Sequence, residues 1–159
     1  MGRNFYVLCA SYGPVAVGFD GERLYVNPRC TSWTTLERLV NAVPIEKADK
    51  RLLYLLSVPR GAVTTYSLYA EAVGVSPRQV GRLMASNPYP VLLPCHRVVY
   101  NNGGLGGYSG GGVEVKRALL EYEGALCGGK PCRIVKPHDV DDVVSAVMKS
   151  LGLSTTSPT

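Results

Sequence analysis

The chain has 159 residues, of which 46% are hydrophobic and 18% are charged. This composition is typical of a folded protein with a sizeable core, and it excludes a disordered chain. No apolar run is long enough to cross a bilayer, and the residues from Met1 to Phe5 lack the apolar core of a secretion signal. The sequence therefore predicts an intracellular, cytoplasmic protein with no membrane partner.

Basic residues are concentrated in the middle third of the sequence. The net charge is +5 at pH 7, and the stretch from Lys47 to Arg97 holds seven basic and two acidic residues, so it accounts for the whole excess. A local excess of positive charge suits a polyanion such as nucleic acid, although an ordinary solvated surface would have the same composition.

Five cysteines, an odd number, leave at least one thiol free in a monomer. They are Cys9, Cys30, Cys95, Cys127 and Cys132. Intracellular proteins normally keep their thiols reduced, with those of hyperthermophiles as an exception. We therefore expect reduced cysteines and leave a Cys127–Cys132 or a Cys9–Cys30 bridge open. The chain has only two histidines and no zinc-knuckle spacing, so the sequence predicts no metal site.

The first 45 residues predict a small α/β unit. Three apolar runs between residues 5 and 26, the last two joined by an Asp-Gly turn, predict strands. Thr34, with Glu37 three positions later, forms a capping box that predicts a helix running toward Val43.

The basic third of the chain predicts three helices. The first covers residues 45–56, with four leucines on its apolar face. The other two cover residues 67–73 and 77–86, and the short glycine-containing turn between them gives the spacing of a helix-turn-helix. Arg78 and Arg82, four residues apart, share one face of the last helix.

A proline-rich segment precedes Cys95. Three prolines in residues 87–97 bracket a short apolar run, which we interpret as a strand that holds Cys95 rigidly. Residues 103–112 contain seven glycines, which indicates a close backbone approach or a mobile loop. Helices are predicted over residues 113–123 and 139–151, and the last six residues are expected to be disordered.

Cys95 and His96 are the residues most suited to nucleophilic chemistry. The thiolate is the reactive form of cysteine, and a nearby imidazole favours it. Neighbouring residues in a helix do not face one another, so a bridging water would be the simplest link between them. The pair alone is equally compatible with a buried structural thiol.

The surroundings of this pair resemble those in the O6-alkylguanine-DNA alkyltransferase family. The matching motifs keep the family's order over residues 45–124. They are Pro94-Cys95-His96-Arg97-Val98-Val99, Asn87-Pro88, Pro59-x-Gly61-x-Val63-x-x-Tyr66, Arg78 three residues before Gly81, Tyr108-Ser109-Gly110-Gly111, and Leu119-Leu120-Glu121-Tyr122-Glu123-Gly124.

The resemblance implies that an alkyl group passes irreversibly from O6 of guanine to Cys95, so that each molecule acts once in DNA repair. By the same resemblance, Glu123 orients His96, and His96 deprotonates Cys95 through water. Asn87 would hold the turn around the cysteine, and Tyr66 would donate a hydrogen bond to N3 of the base.

Further residues are assigned to the base by the same resemblance. The backbone near Ser109 would stabilise O6, with Tyr108 beside it. The carbonyl groups of Cys95 and Val98 would accept from the exocyclic amine. The resemblance implies no cofactor and leaves the preferred alkyl size and activity on O4-alkylthymine open.

The implied partner is double-stranded DNA that carries O6-alkylguanine. It would be bound by a monomer in the minor groove, without strong sequence preference, and the damaged base would be flipped out with Arg78 filling the gap. The residues expected to contact DNA are Ser67, Arg78, Gly81, Arg82 and Asn101. Arg82 departs from the family's pattern, which commonly has a small residue there.

The predicted elements and the resemblance together indicate an α/β (α+β) fold with a division into domains, in which the N-terminal part matches no motif of the family. A small N-terminal α/β domain would cover residues 1–45. A mostly helical, winged-helix-like domain with the helix-turn-helix would cover residues 46–152 and carry DNA binding and alkyl transfer. A disordered tail would cover residues 153–159.

Three other functions remain as alternatives. A lesion sensor of the alkyltransferase-like type would share the fold but lack a reactive cysteine, whereas this chain has Cys95. A transcription regulator would not need Tyr66, Asn87 and Glu123 around a thiol. A cysteine hydrolase would need a distant catalytic histidine, for which His138 is the only candidate.

Overall fold

The computed structural model describes residues 6–153, and it begins with a four-stranded sheet. The strands are β1 (Leu8–Tyr12), β2 (Val15–Phe19), β3 (Leu24–Val26) and β4 (Ser32–Trp33), in the order β3-β2-β1-β4. β1 and β2 form an antiparallel hairpin in which Tyr12 pairs with Val15, and β4 runs parallel to β1. β2 and β3 confirm the second and third predicted strands, whereas β1 begins at Leu8. Phe5, where it was predicted to start, lies outside the described residues.

Helix α1 (Leu36–Ala42) follows the sheet and packs against β1. Its N-cap is Thr35, whose hydroxyl accepts a hydrogen bond from the backbone N–H of Arg38. The predicted capping box on Thr34 was therefore wrong, because the cap lies one residue later, where the third following residue is Arg38 and a single hydroxyl bond replaces the reciprocal pair.

The single helix predicted over residues 45–56 is wrong, because the segment is divided into three short pieces. These are a 3₁₀ turn (Ile45–Lys47), helix α2 (Lys50–Leu53) and a second 3₁₀ turn (Tyr54–Ser57). The break comes at Asp49, whose carboxylate accepts from the backbone N–H of Arg51 and so caps a new helix. A side chain that bonds the neighbouring backbone competes with continuous helix formation.

Helices α3 (Tyr66–Val73) and α4 (Pro77–Ala85) confirm the two helices predicted next and pack against each other. Gly74 ends α3 with a φ of 77°, which is a conformation that glycine adopts at little cost. Ser76 and Gln79 form a reciprocal capping box at the start of α4. The turn between the two helices is therefore fixed by local hydrogen bonds at both ends.

Residues 87–94 form a compact loop, so the predicted strand before Cys95 was wrong. The N–H of Leu93 donates to the carbonyl of Tyr89, and Val91 has a φ of 74°, which no strand accommodates. After a 3₁₀ turn (Cys95–Arg97), strand β6 (Val98–Val99) pairs in parallel with β5 (Thr64–Thr65). This pairing places Cys95 next to the start of α3.

Helix α5 (Val113–Tyr122) confirms the predicted helix and is followed by Gly124 with a φ of 74°. A small hairpin comes next, formed by β7 (Leu126–Cys127) and β8 (Lys130–Pro131).

The last helix, α6 (Val143–Ser150), is shorter than the predicted 139–151. Asp142 caps it, while Asp139 binds the N–H of Val140 locally and holds that residue outside the helix. The disordered tail was predicted from residue 153. Leu153 is placed, and its N–H donates to Met148, whereas residues 154–159 lie outside the described part of the chain.

One hydrophobic cluster connects the sheet, the central helices and α6. It includes Val17, Leu55, Leu92 and Val147, which are almost completely buried. Within residues 6–153, no helix is both long enough and apolar enough to span a bilayer.

Four of the five cysteines form two disulfides, so the expectation of reduced thiols was wrong. Cys9 bonds to Cys30 and Cys127 to Cys132, which leaves Cys95 as the free cysteine of the chain. The first bridge ties the start of β1 to the segment before β4, and the second closes the β7–β8 hairpin. The sequence could not decide these pairs because their partners meet only in the folded chain.

We expect Cys30→Ser to lower the free energy of unfolding by about 3 kcal/mol, because the Cys9–Cys30 bridge closes a loop of 21-residue separation. Cys132→Ser removes a bridge whose two cysteines are only five residues apart, so it should lower the free energy of unfolding by about 2 kcal/mol. Denaturant titration of both variants under oxidising conditions measures the difference. An unchanged transition midpoint in Cys30→Ser would show that the larger bridge does not stabilise the fold.

Candidate active site

Cys95 lies at the wall of a cavity of about 200 Å³ between α3, α4 and the glycine-rich loop. The cavity is lined by Tyr66, Gly81, Met84, Ala85, Cys95, Gly107, Tyr108 and Ser109. The thiol is buried, and its pocket is smaller than those that hold drug-sized ligands. The arrangement suits one compact group brought against the sulfur.

The loop that precedes Cys95 is held by the side chain of Asn87. Its Oδ1 accepts from the N–H of Tyr89 at 2.9 Å, and its Nδ2 donates to the carbonyl of Leu93 at 2.9 Å. The two bonds clamp the turn that contains the strained Val91. Asn87 therefore fixes the backbone from which Cys95 projects.

His96 is completely buried and bonds to the carboxylate of Glu123, with 3.0 Å between Nε2 and Oε2. A carboxylate only accepts hydrogen bonds, so we assign the ring proton to Nε2. Nδ1 then carries a free lone pair. It is buried and has no hydrogen-bond partner among the described residues. The histidine is thus held in the tautomer that can accept a proton at Nδ1.

Arg97, also completely buried, fixes Glu123 from the other side. Its Nε and Nη2 donate to Oε1 and Oε2 at 2.9 and 2.6 Å, which is a bidentate ion pair. The remaining donors reach the carbonyl of Val58 and both the hydroxyl and the carbonyl of Ser150. All five N–H groups of the guanidinium are therefore satisfied, as a buried cation requires.

A second buried cation, Lys116, lies on the far side of the cavity wall. Its ammonium donates to the carbonyl of Val98 at 2.7 Å and to that of Gly107 at 3.2 Å. Burial lowers the pKa of Lys116 to about 8, and the neighbouring Cys95 opposes this shift. The lysine ties β6 to the glycine-rich loop and places positive charge near the thiol.

The ionisation of the site is set mainly by burial. Burial raises the pKa of the Cys95 thiol, while a hydrogen bond from Asn87 and the charge of Lys116 act in the opposite direction. Burial likewise lowers the pKa of His96, although Glu123 favours its charged form. Burial alone would raise the pKa of Glu123. The charges and hydrogen bonds of His96 and Arg97 outweigh that effect and hold the pKa well below the usual range. At neutral pH the site therefore holds a thiol, a neutral imidazole and a carboxylate.

A wider groove of about 480 Å³ adjoins the cavity and shares Tyr66 and Gly81 with it. Its other lining residues are Ser67, Pro77, Arg78, Tyr100 and Asn101. The side chain of Asn101 donates to the hydroxyl of Ser67 at 2.5 Å, which joins the start of α3 to the segment after β6.

The structure places the predicted site residues in three groups. Tyr66, Tyr108 and Ser109 line the cavity with Cys95, and Ser67, Arg78, Gly81 and Asn101 line the groove. Asn87, His96 and Glu123 support the cavity from behind. Val98 is buried, and its carbonyl accepts a hydrogen bond from Lys116. Arg82 is exposed and lines neither the cavity nor the groove.

In the hydrogen-bond network behind the cavity, four side chains received no role from the sequence: Tyr12, Arg97, Lys116 and Ser150. Lys116 could have been found, because it shares the inner face of α5 with Leu119, Leu120 and Glu123 at helical spacing. Tyr12 carried no local signal, since its hydroxyl meets Glu123 across 111 residues of sequence.

Comparison with known proteins agrees with this geometry. Residues 49–125 match the DNA-binding domain of 6-O-methylguanine DNA methyltransferase. A methylated-DNA–protein-cysteine methyltransferase from Pyrobaculum aerophilum is 59% identical over 149 residues, which cover 93% of this chain and 100% of that protein. This chain belongs to the O6-methylguanine-DNA methyltransferase family. It is accordingly an enzyme of the methylated-DNA–protein-cysteine methyltransferase class.

Other members of the methyltransferase family match shorter regions or the fold. A relative from Methanothermobacter thermautotrophicus is 46% identical over 83 residues, covering 52% of this chain and 47% of that protein. The crystal structure of O6-methylguanine-DNA methyltransferase from Pyrococcus kodakaraensis superposes with a TM-score of 0.52 at 28% identity, covering 76% of this chain and 99% of that one.

A Mycobacterium tuberculosis methyltransferase solved in complex with DNA has a TM-score of 0.52 at 27% identity, covering 80% of this chain and 96% of that one.

Proposed function

We propose that this protein repairs DNA by transferring the alkyl group of O6-alkylguanine to Cys95 in a single, irreversible turnover. The observation that carries the proposal is the one free cysteine among the described residues, which lies in a compact cavity beside a His96–Glu123 pair. The family's chemistry needs a nucleophilic sulfur that keeps the group, and an enzyme without turnover needs no second reactant at the site.

In the proposed reaction, the Cys95 proton moves to Nδ1 of His96 through a bridging water. The sulfur then attacks the alkyl carbon, a C–S bond forms, and the C–O6 bond breaks with its electrons passing to the purine. The guanine anion released in this way takes up a proton from solvent, and the imidazolium later returns its proton to solvent. Glu123 stays ionised and stabilises the imidazolium formed next to it. The neutral resting imidazole and the protonated resting thiol both support this order of proton transfer.

The base would be recognised by groups that line or border the cavity. Tyr66 is half-buried, and burial raises its pKa, so its hydroxyl keeps the proton that it would donate to N3. The exposed Ser109 would offer its backbone to O6, and the Tyr108 ring would form the wall beside it. The carbonyls of Cys95 and Val98 would accept from the exocyclic amine. A carbonyl has two lone pairs, so Val98 can serve the base and Lys116 together.

DNA would be bound through helices α3 and α4 acting as a helix-turn-helix in the minor groove. Arg78 is exposed at the start of α4 and lines the groove that opens toward Cys95, so it is suited to fill the gap left by a flipped base. Ser67, Gly81 and Asn101 lie in the same groove, and Arg82 would contact the backbone beside it. Two of the seven basic residues in the middle of the chain, Arg78 and Arg82, lie on α4.

We further propose that residues 1–45 act as a supporting domain and that residues 46–152 bind DNA and transfer the alkyl group. Cys95, His96 and Glu123 all belong to the second part, as do the groove residues. The protein would act as a monomer, because its site is complete within one chain.

The test is repair of a duplex that contains one O6-methylguanine, followed by base analysis of the DNA. We expect guanine to be restored in a 1:1 ratio to protein and then to stop. Cys95→Ala should bind the same duplex and restore none, whereas the control Cys132→Ala should restore it stoichiometrically. Binding without repair by the unaltered protein would instead support a lesion sensor.

A further inference from the structure

The hydroxyl of Tyr12 reaches from the N-terminal sheet into the active site. It donates to Oε2 of Glu123 at 2.6 Å, and both groups are buried. Tyr12 is the last residue of β1, so this bond joins the tip of the β1–β2 hairpin to the end of α5. It is the direct link between the first 45 residues and the pair that would activate Cys95.

Oε2 of Glu123 is the atom on which three donors converge. It accepts from Tyr12 at 2.6 Å, from Arg97 at 2.6 Å and from His96 at 3.0 Å. Each additional donor stabilises charge on the carboxylate and so weakens its pull on the imidazolium of His96. Among these donors, only the tyrosine lies outside the Cys95–Arg97 motif.

The tyrosine is held in position by its surroundings. Its ring packs edge-on against Tyr122 with 5.2 Å between centroids, and the guanidinium of Arg60 lies 4.9 Å from the Tyr122 ring. Gly13 follows Tyr12, and a Cβ there would lie 2.5 Å from the Tyr122 ring, so only glycine allows the hairpin to approach. A contact this constrained indicates a fixed orientation of the hydroxyl.

We propose that Tyr12 is a positioning residue by which the N-terminal sheet tunes the His96–Glu123 pair for proton transfer from Cys95. The inference rests on the proposed function, in which His96 is the base. It gives the N-terminal part of the chain a specific role, namely to supply one hydrogen bond that keeps Glu123 weakly basic and His96 neutral.

The direction of the effect follows from the charges around the pair. Loss of the Tyr12 hydroxyl leaves more negative charge on Glu123, which stabilises the imidazolium and raises the pKa of His96. The other titratable groups near the pair are Arg60, Arg97, Lys116, Cys95 and Tyr108, and none of them is altered by the change. The base would then be protonated over a wider pH range.

The test is an NMR titration of the two histidine side chains in the intact protein, since the chain holds only His96 and His138. In Tyr12→Phe we expect the His96 resonance to titrate at higher pH than in the unaltered protein. Tyr122→Phe removes an exposed hydroxyl from the same ring cluster and should leave His96 unchanged.

A second readout is the single-turnover rate of methyl transfer against pH. Tyr12→Phe should lose rate relative to the unaltered protein at mildly acidic pH, where more of its His96 is protonated. Its acid limb should move to higher pH. Fluorotyrosine incorporated at position 12 is a stronger donor that preserves packing, so it should move the limb to lower pH.

The inference is overturned if His96 titrates alike in Tyr12→Phe and in the unaltered protein, or if the fluorotyrosine leaves the acid limb in place. Failure of the proposed function has a different signature, because the unaltered protein would then transfer no methyl group. The NMR titration needs no substrate, and it therefore tests the role of Tyr12 in either case.

Discussion

Arg97→Met is expected to lower the free energy of unfolding by about 3–5 kcal/mol, because it leaves the buried carboxylate of Glu123 without its cationic partner. Methionine fills much of the same space, so the cost arises from charge rather than from a cavity. The change also removes the donors that bind Val58 and Ser150, which tie α6 to the site. Denaturant titration of the purified variant measures the loss.

The matched control for this prediction is the double variant Arg97→Met with Glu123→Gln. It removes both charges, so it should recover part of the stability that the single change loses. If the single variant lowers the free energy of unfolding by less than about 1 kcal/mol, the pair contributes no more than an exposed ion pair does. That result would contradict the assignment of the Arg97–Glu123 pair as a central element of the core.

His96→Gln is expected to slow methyl transfer by about 10²- to 10⁴-fold, which is the range for removal of a positioned general base. Glutamine can still donate to Glu123, so the fold and the affinity for a lesion duplex should be retained. Rapid mixing with a labelled duplex measures the rate, and gel shift measures binding. His138→Gln, which changes an exposed histidine, serves as the control and should react at the normal rate.

The unaltered protein should also show the pH dependence of a neutral imidazole base. Burial lowers the pKa of His96 below its ordinary value of 6.5, so the transfer rate should stay constant as pH falls through 6.5 and should decline only below it. A His96→Gln variant with the normal rate and the same acid limb would assign proton transfer to another group.

Much of the helical structure was predictable because its signals are local. Gly74 and Gly124 end helices where the sequence indicated, and Pro77 begins one as its fixed φ favours. The failures have local causes as well. Asp49 divides a leucine-rich segment, and Asn87 folds a proline-rich segment into a turn in place of a strand. Both act through side chains that bond the backbone, an option that hydrophobic spacing does not reveal.

Site residues were predictable where a reactive residue type lies within a recognisable motif. They were not predictable where only the tertiary fold brings the contact partner into place. Cys95, His96 and Asn87 lie within ten residues of one another, and Glu123 ends a helix that the sequence already indicated. The contacts of Tyr12 and Ser150 with the same network depend on the sheet and on α6 packing from opposite directions. No sequence pattern fixes such distant contacts.

The most direct test of this account is intact-mass measurement followed by peptide mapping, after the protein has been mixed with a duplex containing one O6-methylguanine. We expect a gain of one methyl group per chain, located on Cys95 and absent from Cys95→Ala. A protein that gains no mass, or that gains it on any other residue, would contradict the assignment of Cys95 as the acceptor.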